Sequence, residues 1–221
     1  LNKLEESLNR LRKPAIQVIN VLSLICIFFS YLQYHFDLTL EKTPKYLIVT
    51  TIFAIIINFM GLLQLFERKM KNPLKKAKRY LIVDFIGLYT SYLTFYNLYF
   101  FVAAEHHYYL NVYWYIGFFT LFICSTMHIL STLLLGPAPK WLKIDKTLLI
   151  IFLKIIASLI YVQKIVEYII VPNIAENHFI FIISIGIIFG CNFLVTQNYI
   201  LYGRILTEVN QLKTNDTMVK E

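Results

Sequence analysis

Charged and polar side chains inside long apolar runs are the residues of this chain best placed to do chemistry. Asp84, His128, Lys154 and Gln197 each interrupt such a run, and Lys164 and Glu167 interrupt one of them again nearer its far end. An ionisable side chain at the centre of a membrane helix costs about 2.5–3.5 kcal/mol, so it normally faces other helices, a partner charge or a water-filled path. At the helical rise of 1.5 Å per residue, Asp84 lies roughly 6 Å from one membrane face. Gln197 lies roughly 9 Å, and His128 and Lys154 roughly 10 Å, from that same face. The four are a candidate intramembrane polar network, with Asp84 expected to pair with Lys154. The alternative is that Lys154 snorkels to the head groups while Asp84 faces the basic loop beside it. Lys164 and Glu167, three residues apart on one helix, form a candidate outer ion pair.

Other chemistry-bearing types lead less far. His35, His106, His107 and His178 fall on the opposite side, near Asp37, Glu105 and Glu176. Imidazole and carboxylate suit zinc or copper, and histidine is also the usual pH sensor. The groups come from three loops without paired ligand spacing, so no metal site is expected. With Tyr108, Tyr109 and Tyr113 they also read as an interfacial aromatic belt. Cys26, Cys124 and Cys191 all fall within apolar runs, so no external disulfide is expected. Cys124 and His128 share a helix face, but no third group is placed to orient them as a nucleophile and base. Phosphate-cradling, zinc-protease and nucleophile-elbow motifs are absent from the sequence. The expectation is a protein that is not an enzyme and needs no cofactor.

The elements that must carry these residues follow from hydropathy. Of 221 residues, 58% are hydrophobic and 15% charged, against about 45–50% and about 25% in soluble domains. Six stretches reach the roughly 20 apolar residues that span a bilayer: 15–35, 46–66, 80–103, 112–135, 147–171 and 179–203. No cleavable signal pattern precedes the first, which is read as retained. The expected fold is an all-α integral membrane protein, a six-helix transmembrane bundle. Its parts are a cytoplasmic amphipathic helix at 1–14, a membrane domain at 15–203 and a cytoplasmic tail at 204–221.

Net charge is +8, from 21 Lys and Arg against 13 Asp and Glu. Alternate segments hold 17 basic residues against two (Lys42 and Lys45), with Lys154 and Lys164 in the fifth span. By the positive-inside rule both termini face the cytoplasm of a bacterial plasma membrane. Loop 67–79 carries seven of the charges, Arg68, Lys69, Lys71, Lys75, Lys76, Lys78 and Arg79. It lacks interleaved aromatic residues, so anionic lipid rather than nucleic acid is its expected partner.

Leu1, Leu4, Leu8 and Leu11 make the N-terminal arm an amphipathic helix, expected on the membrane surface, with Glu6 and Arg10 as an i,i+4 pair. Ile205, Leu206, Val209 and Leu212 extend the sixth span into the cytosol. The two stripes either rest separately on lipid or pair, within a chain or between chains. Gly186 and Gly190 form a GxxxG helix-packing pair, for internal contact or for a homodimer or other membrane partner. Pro14, Pro44, Pro73, Pro137, Pro139 and Pro172 all fall at span edges or in loops, so no broken midplane helix marks a carrier.

The stretch Leu8-Asn9-Arg10-Leu11-Arg12-Lys13-Pro14-Ala15-Ile16-Gln17-Val18-Ile19-Asn20 resembles the start of uncharacterised multi-span proteins of low-GC Gram-positive bacteria. Some of these are associated with type VII secretion loci. The resemblance implies a membrane protein of such a locus and brings no site residues with it. Two functions remain open. One is a non-enzymatic protein acting by helix contacts, as a secretion-system accessory or toxin-immunity protein. The other is a small ion or polar-solute channel or transporter using the intramembrane charges.

Overall fold

A computed structural model of the chain describes residues 2–13, 17–32, 41–67, 72–136 and 145–218. Pro14, His35, Asp37, Arg68, Lys69, Lys71, Pro137, Pro139, Lys140, Lys143 and Lys220 lie outside them. Among the described residues there are seven helices and no strand: α1 Asn2–Arg12, α2 Gln17–Leu32, α3 Lys45–Leu65, α4 Pro73–Glu105, α5 Asn111–Leu133, α6 Lys146–Ile170 and α7 Phe179–Met218. Their ends obey local chemistry. Pro73 opens α4 at a position where its missing amide costs no hydrogen bond. The side chain of Asp145 accepts the amide of Thr147 at 2.8 Å and caps α6, which stops just before Pro172.

Four helices, α3, α5, α6 and the 179–212 part of α7, are long and apolar enough to cross a membrane. They are also the helices with the most apolar surface turned outward. Phe59, Phe122, Phe189 and Ile169 are each more than 60% exposed. A continuous apolar exterior of this kind is rare on soluble monomers and is what a hydrocarbon solvent requires.

The centre of the bundle is α4, which packs against α2, α3 and α7 and is buried over most of its length. Asp84, Tyr89, Thr90, Ser91, Tyr92, Thr94, Tyr96 and Asn97 all lie inside. A helix surrounded by protein has no need to be as apolar as one that faces lipid, which is why α4 carries the polar side chains. Its register against α3 is fixed at two levels. Asn97 Nδ2 donates to Thr50 Oγ1 at 2.9 Å, and the Tyr80 hydroxyl donates to Glu67 Oε2 at 2.6 Å. The two levels are seventeen residues apart along α4, about 25 Å of helix at 1.5 Å per residue, and Glu67 lies two residues past the end of α3.

The terminal elements meet at the end of the bundle that carries Lys76 and Arg79, hereafter the basic end. At forty residues α7 is about 60 Å long, twice what a crossing of the hydrocarbon requires, and its last turns extend beyond the apolar stretch 179–212. On the C-terminal part of this helix α1 docks, lying against α7 and α4. Leu4, Leu8 and Leu11 are buried in one cluster with Ile205 and Val209. Leu4, Leu8 and Leu11 thus meet Ile205 and Val209 within the chain instead of resting separately on lipid, whereas Leu206 and Leu212 are exposed and Leu1 lies outside the described residues. The reason is proximity, because the C-terminal turns of α7 offer a complementary apolar face beside the arm.

Candidate functional site

The buried face of α6 runs Leu153, Ala157, Ile160, Lys164, Glu167, a repeat of three and four residues. Lys164 therefore points into the protein whereas Lys154 does not. Lys164 is fully buried, and its Nζ meets Glu167 Oε2 at 2.6 Å. The ammonium also sits 3.7 Å from the centre of the Tyr96 ring and 5.8 Å from that of Tyr92. The other oxygen of Glu167 is filled as well. The Tyr96 hydroxyl donates to Oε1 at 2.8 Å, and Gln163 Nε2 donates to the same atom.

Three helices close around this pair. Tyr96 comes from α4, the ion pair from α6, and α5 supplies Gly117. A Cβ added at Gly117 would lie 2.8 Å from Glu167 Oε1 and would collide with the Tyr96 hydroxyl. Glycine is required there by close approach. The site is electrically neutral, with a cation held by carboxylate and ring faces and a carboxylate held by three donors. Its arrangement fixes α4, α5 and α6 in one relative position and leaves both oxygens of the carboxylate occupied from within.

A second polar group lies nearer the basic end. The Tyr89 hydroxyl donates to Asn192 Oδ1 at 2.9 Å, and Asn192 Nδ2 donates to the Tyr161 oxygen at 3.1 Å. His128 Nε2 lies 2.9 Å from the Asn192 carbonyl and 3.4 Å from Thr196 Oγ1. A third joins α3, α4 and α5, where Trp114 Nε1 donates to Asn97 Oδ1 at 2.8 Å beside the Thr50 bond. At the basic end Glu67 accepts from Arg79 and Tyr80 and lies 3.7 Å from Lys76, while Arg12 Nη1 donates to its carbonyl at 2.6 Å. These bonds hold the Glu67 carboxyl below its ordinary range, the Tyr80 hydrogen bond most of all and then the neighbouring cations.

The structure does not assemble the expected four-residue network: His128 and Lys154 lie close enough for their charges to interact, but Asp84 and Gln197 do not join them. Asp84 is buried, but its partner is Asn198, whose Nδ2 donates to Oδ2 at 3.4 Å, while Oδ1 has no hydrogen-bond partner. Lys154 is exposed on the outer side of α6, and no ion pair joins it to Asp84 among the described residues. Gln197 is exposed on α7. Ser184, Ile188, Cys191 and Val195 mark the inward stripe of that helix, and a further step of three reaches Asn198, not Gln197. Depth had placed the four in one layer, but helical phase decides which of them face inward. Lys164 and Glu167, by contrast, are brought together.

Gly186 and Gly190 fall off the same stripe. A Cβ added at either meets nothing within 4 Å, so internal packing at this pair is corrected. Among the remaining histidines, the His178 ring stands 5.4 to 6.1 Å from those of Tyr168, Phe181 and Tyr99, an aromatic cluster. Cys124 and Cys191 are buried free thiols, donating to the carbonyls of Ile156 and Leu88.

The sequence reading passed over Tyr89, Tyr92, Tyr96, Gln163 and Gly117. One signal was available. Tyr89, Tyr92, Tyr96 and Tyr99 recur at spacings of three, four and three, a stripe of hydroxyls that lipid would not solvate.

Comparison with known proteins adds a family. No curated protein and no solved structure matches the chain. A family model described as a domain of unknown function, DUF5079, matches residues 5–216, which takes in α2 to α6 whole and most of α1 and α7. The chain is therefore a member of the DUF5079 family, and its central helix and buried ion pair lie inside the matched region.

Proposed function

We propose that this is a non-enzymatic, six-span protein of a bacterial cytoplasmic membrane, with both termini on the cytoplasmic side, that acts through helix contacts. The roles we assign to it are those of a secretion-system accessory or a toxin-immunity protein in a low-GC Gram-positive bacterium. In this topology α2 to α7 are the spans, and anionic lipid covers the basic segment 67–79, whose residues 73–79 are the first turns of α4 and not a loop. One observation carries the reading. Both oxygens of Glu167 are bonded from inside the protein, and Lys164 is closed in by Glu167 and two tyrosine rings. A pair so enclosed supports a role in holding helices rather than in passing ions. Two further polar side chains of α4 bond to neighbouring helices, Tyr89 to α7 and Asn97 to α3, which supports the same reading.

A second reading, a channel or transporter for a small ion or polar solute, is favoured by the buried, unpartnered Oδ1 of Asp84. Reconstituted flux separates the two. The helix-contact reading expects proteoliposomes holding the protein to leak no faster than empty ones, with or without Lys154→Ala. Flux that depends on the protein and falls in Asp84→Asn would overturn it. Deletion in the native host tests the biological role. Loss of export of a secreted substrate, or sensitivity to a co-encoded toxin, is expected, and a deletion with neither defect would remove both assigned roles.

A further inference from the structure

The leucine face of α1 has two places where it can be covered. In the structure it is buried with Ile205 and Val209 on the C-terminal turns of α7, and Arg12 ties it to the Glu67 carbonyl. An isolated helix of eleven residues is marginal in water, so α1 is helical only while that face is covered. Glu5, Glu6, Arg10 and Lys13 are exposed on its other side. The segment 1–13 carries Lys3, Arg10, Arg12 and Lys13 against Glu5 and Glu6, a basic excess. A short amphipathic helix in a segment of net positive charge is suited to an anionic bilayer surface, which buries the leucines and attracts the charge at once. The α7 stripe lies past the part of that helix needed to cross the hydrocarbon, beside the surface to which α1 would move.

We infer that α1 is an exchangeable strap: its leucine face leaves the Ile205–Val209 stripe of α7 for an anionic lipid surface, and the stripe is thereby uncovered. The inference goes beyond the helix-contact reading and does not require it. If that reading holds, the uncovered stripe is the contact surface that lipid composition controls.

Val209 and Ile205 are buried under α1, so a thiol at either reports whether the strap is seated. The full chain with Cys26, Cys124 and Cys191 replaced by serine, and carrying Val209→Cys, is reconstituted singly into nanodiscs. These are made of phosphatidylcholine alone or of phosphatidylcholine with phosphatidylglycerol, and the rate of maleimide alkylation is measured. Ile205→Cys serves as an independent probe, and Leu8→Asp gives the rate with the strap displaced. Alkylation several-fold faster in the anionic discs is expected. High salt should slow it again, because it screens the attraction, and Arg10→Gln with Lys13→Gln should abolish the lipid response. Equally slow rates in both lipids at both positions would overturn the proposal, as would equally fast ones. A rise that appears only when two copies share a disc would assign the stripe to a second chain instead.

Discussion

Replacing Lys164 by methionine leaves Glu167 buried with no cation beside it. Breaking a buried ion pair by removing one partner costs about 3–5 kcal/mol, whereas replacing both partners is often close to neutral. Lys164→Met should therefore destabilise the bundle strongly, and adding Glu167→Gln should restore most of the loss. Reversible unfolding in mixed micelles measures both. Equal losses in the single and double variants would mean that the pair contributes no mutual stabilisation. Gly117 is the complementary test, since its role is the absence of a side chain. Gly117→Ala should cost about 1–3 kcal/mol through overpacking. Tyr96→Phe removes the hydroxyl that the new methyl meets, so the double variant should lose less than the sum of the two single changes. Strict additivity would show that the methyl is accommodated elsewhere. These residues were only partly legible in advance. The spacing of Lys164 and Glu167 on one helix was enough to suggest their pairing, but Tyr96 and Gly117 come from other helices and nothing in their local sequence points to residue 167.

At the scale of elements, Glu67 is where α1, α3 and α4 are joined. Its carboxyl is held below the ordinary 4.5 by the Tyr80 hydroxyl, Arg79 and Lys76. A group whose folded value is depressed contributes stability above its unfolded value and loses it as pH falls through the folded one. The contribution should be complete near neutral pH and disappear progressively below 4.5. Glu67→Gln should accordingly lower the melting temperature near pH 7 and converge with the parent chain in acid. A constant gap at all pH values would exclude the carboxylate as the source. Helical phase explains why depth alone does not assign the inner network. Depth is read from sequence position, but facing is set by phase. Ten residues between Lys154 and Lys164 rotate one to the exterior and leave the other in the core. Asn198 joins Asp84, and Gln197 does not, for the same reason.

For the whole molecule, the proposed topology puts α1, Glu67 and the end of α7 at one membrane face and the 171–178 turn at the other. An impermeant thiol reagent applied to intact cells should label Glu176→Cys and spare Glu5→Cys until the cells are opened. Labelling of both positions, or of neither, would require a different number of spans. The bundle is built around its least apolar long helix, with the strongly apolar α3, α5, α6 and α7 carrying most of the outer surface. This order follows from solvent. Hydrocarbon tolerates apolar exteriors, and polar side chains that lipid cannot hydrate are stabilised by gathering on a helix that protein surrounds.

Read on its own, the sequence already indicates a helical chain suited to a bilayer, because runs of about 20 apolar residues admit few other conformations there. It also determined that Lys164 and Glu167 could meet, since three residues of helix bring them to neighbouring positions. That Lys154 and Gln197 face outward, that α1 seats on α7, and that Gly117 makes room for a tyrosine bonded to Glu167 is visible only once the helices are packed. Those outcomes depend on how one helix is rotated against another. That rotation is fixed by packing between residues far apart in the chain, 71 positions for Tyr96 and Glu167 and 114 for Asp84 and Asn198, and not by the local pattern of any single run.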